Sequence, residues 1–440
     1  MMWITSHHRR RRSAAFCTAS VIGAGLVLLL TLAWPCGVLQ AAPASPPAKM
    51  ATDRPRNAEE QARRAQQRTA GIAKLATRVQ VGLGSVVADI GAGGGQDTWR
   101  WAAIVGSRGT VYAEEVTEKQ VAALKTEAEK RKLAQVRPVL GRDDEPALPP
   151  NTVDLAYLRL VYHHLSQPRP MLRGIWRSLK PGGYLIVIDR HRGTLRDWVP
   201  REQRTAKHFW IAETTVVREA REEGFRFVAC AEDCCELPEP FVLIFQRPQE
   251  PLQPGHDPDP FLPLAVERVT ASLLPPAARF QHPVFIALGQ ARQLIAPLLK
   301  RSAGPGLEIV LEEWATEKQE RPALPAGVSL PSVLTQDGDP QLDRRPIDAV
   351  FFLDSYHLLF HGPTLLRKLR EQLTADGRVF VMDREAGHPQ SRREASHRRR
   401  IDPTTVKREM AAAGFALRFE APRPAADRFL LVFGKADVGP

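Results

Sequence analysis

Residues Val153 to Gly193 align with Ile347 to Gly387 at a constant offset of 194 and without a gap. The matched positions include Asp154 with Asp348, Tyr162 with Tyr356, His163 with His357, Gly183 with Gly377, and Asp189-Arg190 with Asp383-Arg384. Further on, Glu222-Glu223-Gly224-Phe225 matches Ala412-Ala413-Gly414-Phe415. A self-match of this length is one supersecondary arrangement written twice, so the architecture of the first half must recur in the second. With 440 residues available, two domains are expected, in keeping with about 100 to 200 residues per domain.

The first half carries the more informative copy. Val86 to Ile90 is an apolar β run, and Gly91-Ala92-Gly93-Gly94-Gly95 follows at once, leading into a helical stretch from Thr98 to Ile104. Glycines at that point let the chain turn tightly and approach a ligand without Cβ clashes, at the strand end where doubly wound sheets bind nucleotides. A second strand, Gly109 to Val116, brings Glu114 and Glu115 to its end about 20 residues beyond the glycines, where a carboxylate accepts the hydroxyl protons of a ribose.

Three further motifs follow in order: Gly141-Arg142-Asp143-Asp144-Glu145-Pro146-Ala147-Leu148-Pro149, Val153-Asp154-Leu155, and Leu179-Lys180-Pro181-Gly182-Gly183-Tyr184-Leu185. With the glycine loop and the second strand, they make Val86 to Pro248 resemble the class I S-adenosylmethionine-dependent methyltransferases. Within that class these residues resemble in particular the subgroup similar to ubiquinone-type C-methyltransferases, the methyltransferase type 11-like domains. It implies an α/β fold, a Rossmann-like seven-stranded sheet with helices on both faces, and S-adenosylmethionine as cofactor. By the same resemblance Gly91, Gly93 and Gly95 face the methionine part of the cofactor, with Asp89 supporting the loop. Glu115 holds the ribose, with Glu114 as fallback, and Asp144 accepts from the adenine amino group, with Asp143 second. Leu160 stands where the family often has an acid at the methionine end. Tyr162 and His163 are the candidates to face substrate, and a neutral imidazole suits His163 to take a proton from a hydroxyl or carbon acid. His208 is a weaker candidate for the same work, and Asp154 reads equally well as a polar strand start.

The second copy keeps strand-like runs at Phe285 to Ala287, Leu307 to Leu311, Ala349 to Leu353 and Arg378 to Met382, but Ile286-Ala287-Leu288-Gly289-Gln290-Ala291 stands where Ile90 to Gly95 would be. Side chains there take the cofactor's space, so no S-adenosylmethionine binding is expected. This copy has Asp354 at the position of Leu160, and its stretch Ser396 to Pro403 lies closer to the single-domain family. It is either a structural partner or a lender of substrate-facing groups. The expected division is a leader over 1–41, the methyltransferase domain over 54–248, a Pro-rich linker over 249–263 and the degenerate copy over 264–440, with a loop from Arg321 to Pro346.

His7-His8-Arg9-Arg10-Arg11-Arg12, an apolar stretch from Ala14 to Leu39, and small residues at Ala41, Ala42 and Ala44 are the parts of a secretory signal. Cleavage near Ala41 or retention as an anchor both place the domains outside the cytoplasm, whereas translation from Met50 keeps them inside. An exported enzyme would need its cofactor delivered. A third of the formal charge of +12 lies in Arg9 to Arg12, and the other charges are interleaved, so neither a nucleic-acid partner nor a basic stripe is expected. Cys17, Cys36, Cys230, Cys234 and Cys235 form no zinc-binding pattern, and no metal is expected. The activity expected is methyl transfer to a small-molecule acceptor, and the alternative is a non-catalytic binding or scaffold protein on the same fold.

Overall fold

Strand residues pointing to alternate faces sort the apolar side chains of each half into two layers, and the helices follow from which layer they cover. The computed structural model describes residues 58–190, 211, 213–238, 240–250, 255–274, 279–311, 329–342 and 345–436. The leader, Cys17, Cys36, His208 and parts of the linker and of the span from Arg321 to Pro346 lie outside these residues, and the span expected as a loop contains a strand at Ser332–Leu334, paired to its neighbour by backbone hydrogen bonds that residue type alone does not announce.

The first sheet contains β1 (Val86–Ile90), β2 (Thr110–Glu115), β3 (Val136–Leu140), β4 (Val153–Arg159), β5 (Leu179–Arg190), β6 (Arg226–Cys230) and β7 (Pro240–Gln246), in the order β3-β2-β1-β4-β5-β7-β6. All neighbours are parallel except β7, which runs antiparallel to both β5 and β6. Helices α1 (Ala58–Arg78), α2 (Gln96–Val105) and α3 (Glu118–Lys130) cover one face, where Val87, Val111, Leu155 and Ile186 meet Leu75, Trp101 and Leu124. Helices α4 (Pro168–Ser178) and α5 (Glu213–Glu222) cover the other, where Ala88, Ala156, Leu185 and Val187 meet Leu172, Ile175 and Val216. Right-handed crossovers account for this division, since the order reverses between β1 and β4 and the helices before and after that point fall on opposite faces.

The second sheet repeats the plan. Its strands are β8 (Pro283–Ala287), β9 (Leu307–Val310), β10 (Ser332–Leu334), β11 (Ile347–Leu353), β12 (Leu373–Arg384), β13 (Phe415–Ala425) and β14 (Arg428–Lys435), in the order β10-β9-β8-β11-β12-β14-β13. Strands β4 and β5 map onto β11 and β12 at the offset of 194, and α4 maps at the same offset onto α8 (Gly362–Gln372), completing the correspondence read from sequence. Helix α6 (Val266–Leu273) and the short α7 (Ile295–Leu299) lie on one face, and α8 and α10 (Pro403–Ala412) on the other. Both halves thus have the α/β methyltransferase topology, with an antiparallel seventh strand.

The two sheets belong to one compact unit. Helix α9 (Arg392–Arg398) joins them: Arg393 Nε donates to both carboxylate oxygens of Glu213 at 2.6 Å, and His397 Nε2 lies 3.0 Å from Glu213 Oε1. Glu213 is wholly buried, so these two partners replace the water it has lost. Arg398 also donates to the Val228 carbonyl, and the Phe227 and His397 rings meet edge-on at 5.1 Å.

Candidate functional site

At the carboxyl end of β1 the chain turns through Gly91, Gly93 and Gly95, all at positive φ (65°, 56° and 76°), where a side chain would strain the backbone. The space around them differs. A Cβ on Gly91 would lie 2.7 Å from Val161 and one on Gly95 would lie 2.3 Å from Trp99, whereas nothing stands within 4 Å at Gly93 or Gly94. The outer pair therefore packs the loop onto the fold, and the middle pair opens it for a ligand to lie against its backbone.

Three carboxylates support the loop. Asp89 on β1 is buried, accepts from Thr98 Oγ1 at 2.6 Å, and is pushed up to about 7 by burial and by nearby Asp97. Glu114 and Glu115 end β2 facing opposite ways. Glu114 Oε2 accepts from the Gly91 amide at 3.1 Å, its Oε1 is buried against Gly141 without a hydrogen bond, and burial pushes its carboxyl up to about 7. Glu115 Oε1 takes the Gly93 amide at 2.5 Å, which places this acid, rather than Glu114, beside the open part of the loop. Beyond β3, Asp143 and Asp144 share a tight turn bridged between Arg142 and Glu145, and Asp144 accepts from Arg142 Nε at 3.2 Å.

After β4 the chain passes through Leu160, whose φ of 59° is unusual for a residue that is not glycine. Tyr162 and His163 then form a short 3-10 turn. The Tyr162 ring is fully buried under the sheet with its hydroxyl on Glu219 of α5 at 2.7 Å, so this residue, expected to face substrate, is a core residue instead. His163 behaves differently. Its amide and its Nδ1 both engage Asp189 at the end of β5, at 3.2 Å and 2.8 Å. Where Nδ1–H donates to this carboxylate, Nε2 is the acceptor nitrogen of the neutral ring. Asp154 lies at the opposite end of the sheet, where it accepts from the Val86 amide at 2.8 Å and from Lys180 at 2.7 Å, a structural role remote from the loop.

Residues 88–187 match the family model described as methyltransferase domain. This part of the chain is a methyltransferase domain. Among solved structures, the chain is similar to a SAM-dependent methyltransferase from Aquifex aeolicus, at 24% identity over 42% of this chain and 93% of that one, with a TM-score of 0.35. An S-adenosylmethionine-dependent methyltransferase from Mesorhizobium loti matches at 17% identity over 40% of this chain and 98% of that one, with a TM-score of 0.32.

The family implies S-adenosylmethionine as methyl donor, and the residues of the methyltransferase domain fit it. Gly93 and Gly94 leave the cradle that a Cβ would fill, and Glu115 Oε2 keeps its lone pairs beside that cradle, with no partner among the described residues. Sequence reading missed a second layer. Asp97, in the first turn of α2, is buried and receives Arg68 Nε of α1 at 2.6 Å and the Tyr157 hydroxyl at 3.0 Å, while Arg159 at the end of β4 pairs with Glu236. These contacts tie α1, α2 and β4 together around the loop. Their separation in sequence hid them, although Asp189 carried a usable signal as a residue shared with Asp383 in the repeat.

Strand register aligns the second half with this domain residue by residue. Since Ile90 pairs with Leu158 and Ile286 with Phe352, Asp89 becomes Phe285, Gly91 becomes Ala287 and Gly95 becomes Ala291. Continuing outward, Glu114 becomes Ile309, Glu115 becomes Val310 and Asp144 becomes Gly338. What persists is Gly93 as Gly289, Asp143 as Asp337, and the histidine pair: His357 Nδ1 lies 2.8 Å from Asp383, which also takes its amide at 2.9 Å. The pair thus pins the turn after the fourth strand to the fifth in both copies, whatever else it does. The cysteines Cys230, Cys234 and Cys235 are free thiols, and burial pushes Cys230 up to about 12, well above the range of a reactive thiolate.

Proposed function

We propose that the first half binds S-adenosylmethionine and transfers its methyl group to a small-molecule acceptor, with the second half as a degenerate partner. The observation that supports this most is the open glycine pair at Gly93 and Gly94 with Glu115 fixed beside it. When bound, the cofactor supplies a methyl on a sulfonium that needs no further activation, so holding the acceptor in line at about 3 to 3.5 Å accounts for most of the rate. The chain's own part is to hold and orient: backbone at Gly93 and Gly94 receives the methionine end, Glu115 the ribose hydroxyls, and Asp144 the adenine amino group. His163, its Nδ1–H on Asp189, takes the acceptor's proton at Nε2.

Calorimetric titration of S-adenosylmethionine into the full chain and into Glu115→Ala tests the cofactor site, and undiminished affinity in the variant removes Glu115 from it. Label transfer from the methyl-tritiated cofactor to small phenols and quinols, compared with His163→Gln, tests the acceptor side. A second reading, a non-catalytic binding protein, is favoured by the recurrence of the histidine pair in a half without the cofactor loop. Cofactor binding without transfer to any acceptor would favour it. The basic and apolar start of the chain supports export or membrane anchoring, and a periplasmic reporter fused after Pro440 that stays inactive would contradict that placement.

A further inference from the structure

The second sheet reverses its strand order between β8 and β11, and at the carboxyl ends of these strands it retains a cavity of about 300 Å3. Crevices at such a point are where open α/β sheets bind ligands. This one has a new lining. Gly289 and His357 remain from the ancestral site, Phe261 of the linker forms a wall, Arg221 enters from α5 of the first half, and Arg399 enters from the end of α9.

The charged groups around the cavity are paired unequally. Asp354 is taken by Arg428, with N–O distances of 2.9, 3.1 and 2.9 Å and both side chains fully buried. Asp259 is shared by Arg384 and Arg400, and Asp427 by Arg384 and Arg428. That leaves Asp257 alone between Arg221, 3.2 Å from it, and Arg399, 3.0 Å from it. Arg221 and Arg399 therefore share one carboxylate, and Arg399 also donates to the Asp259 backbone carbonyl. Arg221 Nε is buried and makes no hydrogen bond, its contact to Asp257 being off-axis. Burial and the nearby Arg221 push the Arg399 guanidinium down to about 9, the response of a cation short of negative partners. The Phe261 ring lies 4.8 Å from the Arg399 guanidinium carbon, with those of Arg384 and Arg428 at 4.6 and 5.4 Å.

We propose that this crevice is a binding site for a small organic carboxylate with a flat unsaturated body, its carboxylate accepting from the N–H groups of Arg221 and Arg399 that Asp257 leaves over and its body against Phe261. The planar guanidinium suits a carboxylate better than a point cation would, because two parallel N–H groups match its two oxygens. The cavity volume limits the ligand to the small end of the range for such sites. Because Arg221 belongs to the first half and Arg399 to the second, occupancy draws the two halves together.

The test is calorimetric titration of sodium benzoate into the full chain at neutral pH, beside benzamidine, which has the same shape and opposite charge, and beside sodium phosphate. Saturable benzoate binding at one per chain is expected, with no benzamidine binding and weaker phosphate binding. Affinity should fall at least about tenfold in Arg399→Gln, the cost of one charge-assisted contact, and partly return in Arg399→Lys. Arg221→Gln provides a second variant if the first fails to fold by circular dichroism. Benzoate that does not saturate, benzamidine that binds equally, or affinity unchanged in both variants overturns the proposal. Phosphate binding tighter than benzoate overturns the flat organic ligand in favour of an inorganic oxyanion. Repeating the titration with S-adenosylmethionine present keeps the result separate from the first-half site.

Discussion

The two halves share strand order and offset, yet they differ at the residues that surround the first strand's end. In the first half this place holds open backbone at Gly93 and Gly94 over Asp89, Glu114 and Glu115. In the second it holds Phe285, Ile309 and Val310 beneath a 3-10 turn from Gly289 to Leu294. Packing in the sheet requires only that a position be filled, and an apolar residue fills it as well as a carboxylate does. Ligand binding requires particular atoms, so a copy released from binding keeps its core and loses the acids at the positions of Asp89, Glu114 and Glu115. The contact that serves the fold itself, His163 to Asp189, is present in both halves.

The sharpest contrast lies at one equivalent position. Leu160 and Asp354 both sit at positive φ, 59° and 53°, with amides bonded to Ile188 and Met382 at 2.8 and 2.9 Å. Asp354 also carries the charge of the fully buried Arg428. Asp354→Leu, which writes the first half's residue into the second, leaves that guanidinium short of a partner and should cost about 3 to 5 kcal/mol by urea denaturation. A cost below about 1 kcal/mol would mean that Asp427 alone satisfies Arg428.

Next in size is the glycine pair. Gly93→Val should weaken S-adenosylmethionine binding at least about a hundredfold, since a side chain fills the open cradle and favours another φ. Gly289→Val carries a similar backbone cost but should leave cofactor affinity unchanged. Equal effects from the two would dissolve the distinction between the halves.

Smaller still is a pH effect to which both halves contribute, with Glu114 and Asp89 in the first and Asp354, pushed up to about 6 by burial, in the second. Glu114 keeps its proton up to about pH 7 in the folded chain, above its ordinary value of 4.5. The folded state therefore binds more protons than the unfolded chain between those values, so stability falls as pH rises through 4.5 to 7 and levels off above. Asp89 adds to the same trend for the same reason. Glu114→Gln should flatten the slope of melting temperature against pH, and an unchanged slope assigns it elsewhere. The smallest effect is at Leu160→Asn, expected to stabilise by about 1 kcal/mol or less, because asparagine tolerates the left-handed backbone better than leucine.

Much of this was legible in the sequence because it rests on local pattern. The run Val86 to Ile90 is β1 residue for residue, and the offset of 194 carries β4, α4 and β5 onto their counterparts. The replacement of Ile90 to Gly95 by Ile286 to Ala291 was readable and agrees with the strand register. What sequence could not give was direction and distant partners. Tyr162 follows a strand end as a substrate-facing residue would, but the 3-10 turn aims it into the core toward Glu219, 57 residues on. The left-handed turn at Leu160 leaves no mark in its residue type. Arg221 and Arg399 come together only because α9 docks on the first half through Glu213, a contact between residues 180 apart.

The central claim is that one of two related crevices kept the cofactor and the other did not. It is tested most directly by the stoichiometry of S-adenosylmethionine in a calorimetric titration of the full chain. The account predicts one site per chain, lost in Glu115→Ala. Two sites per chain, or none, would contradict it.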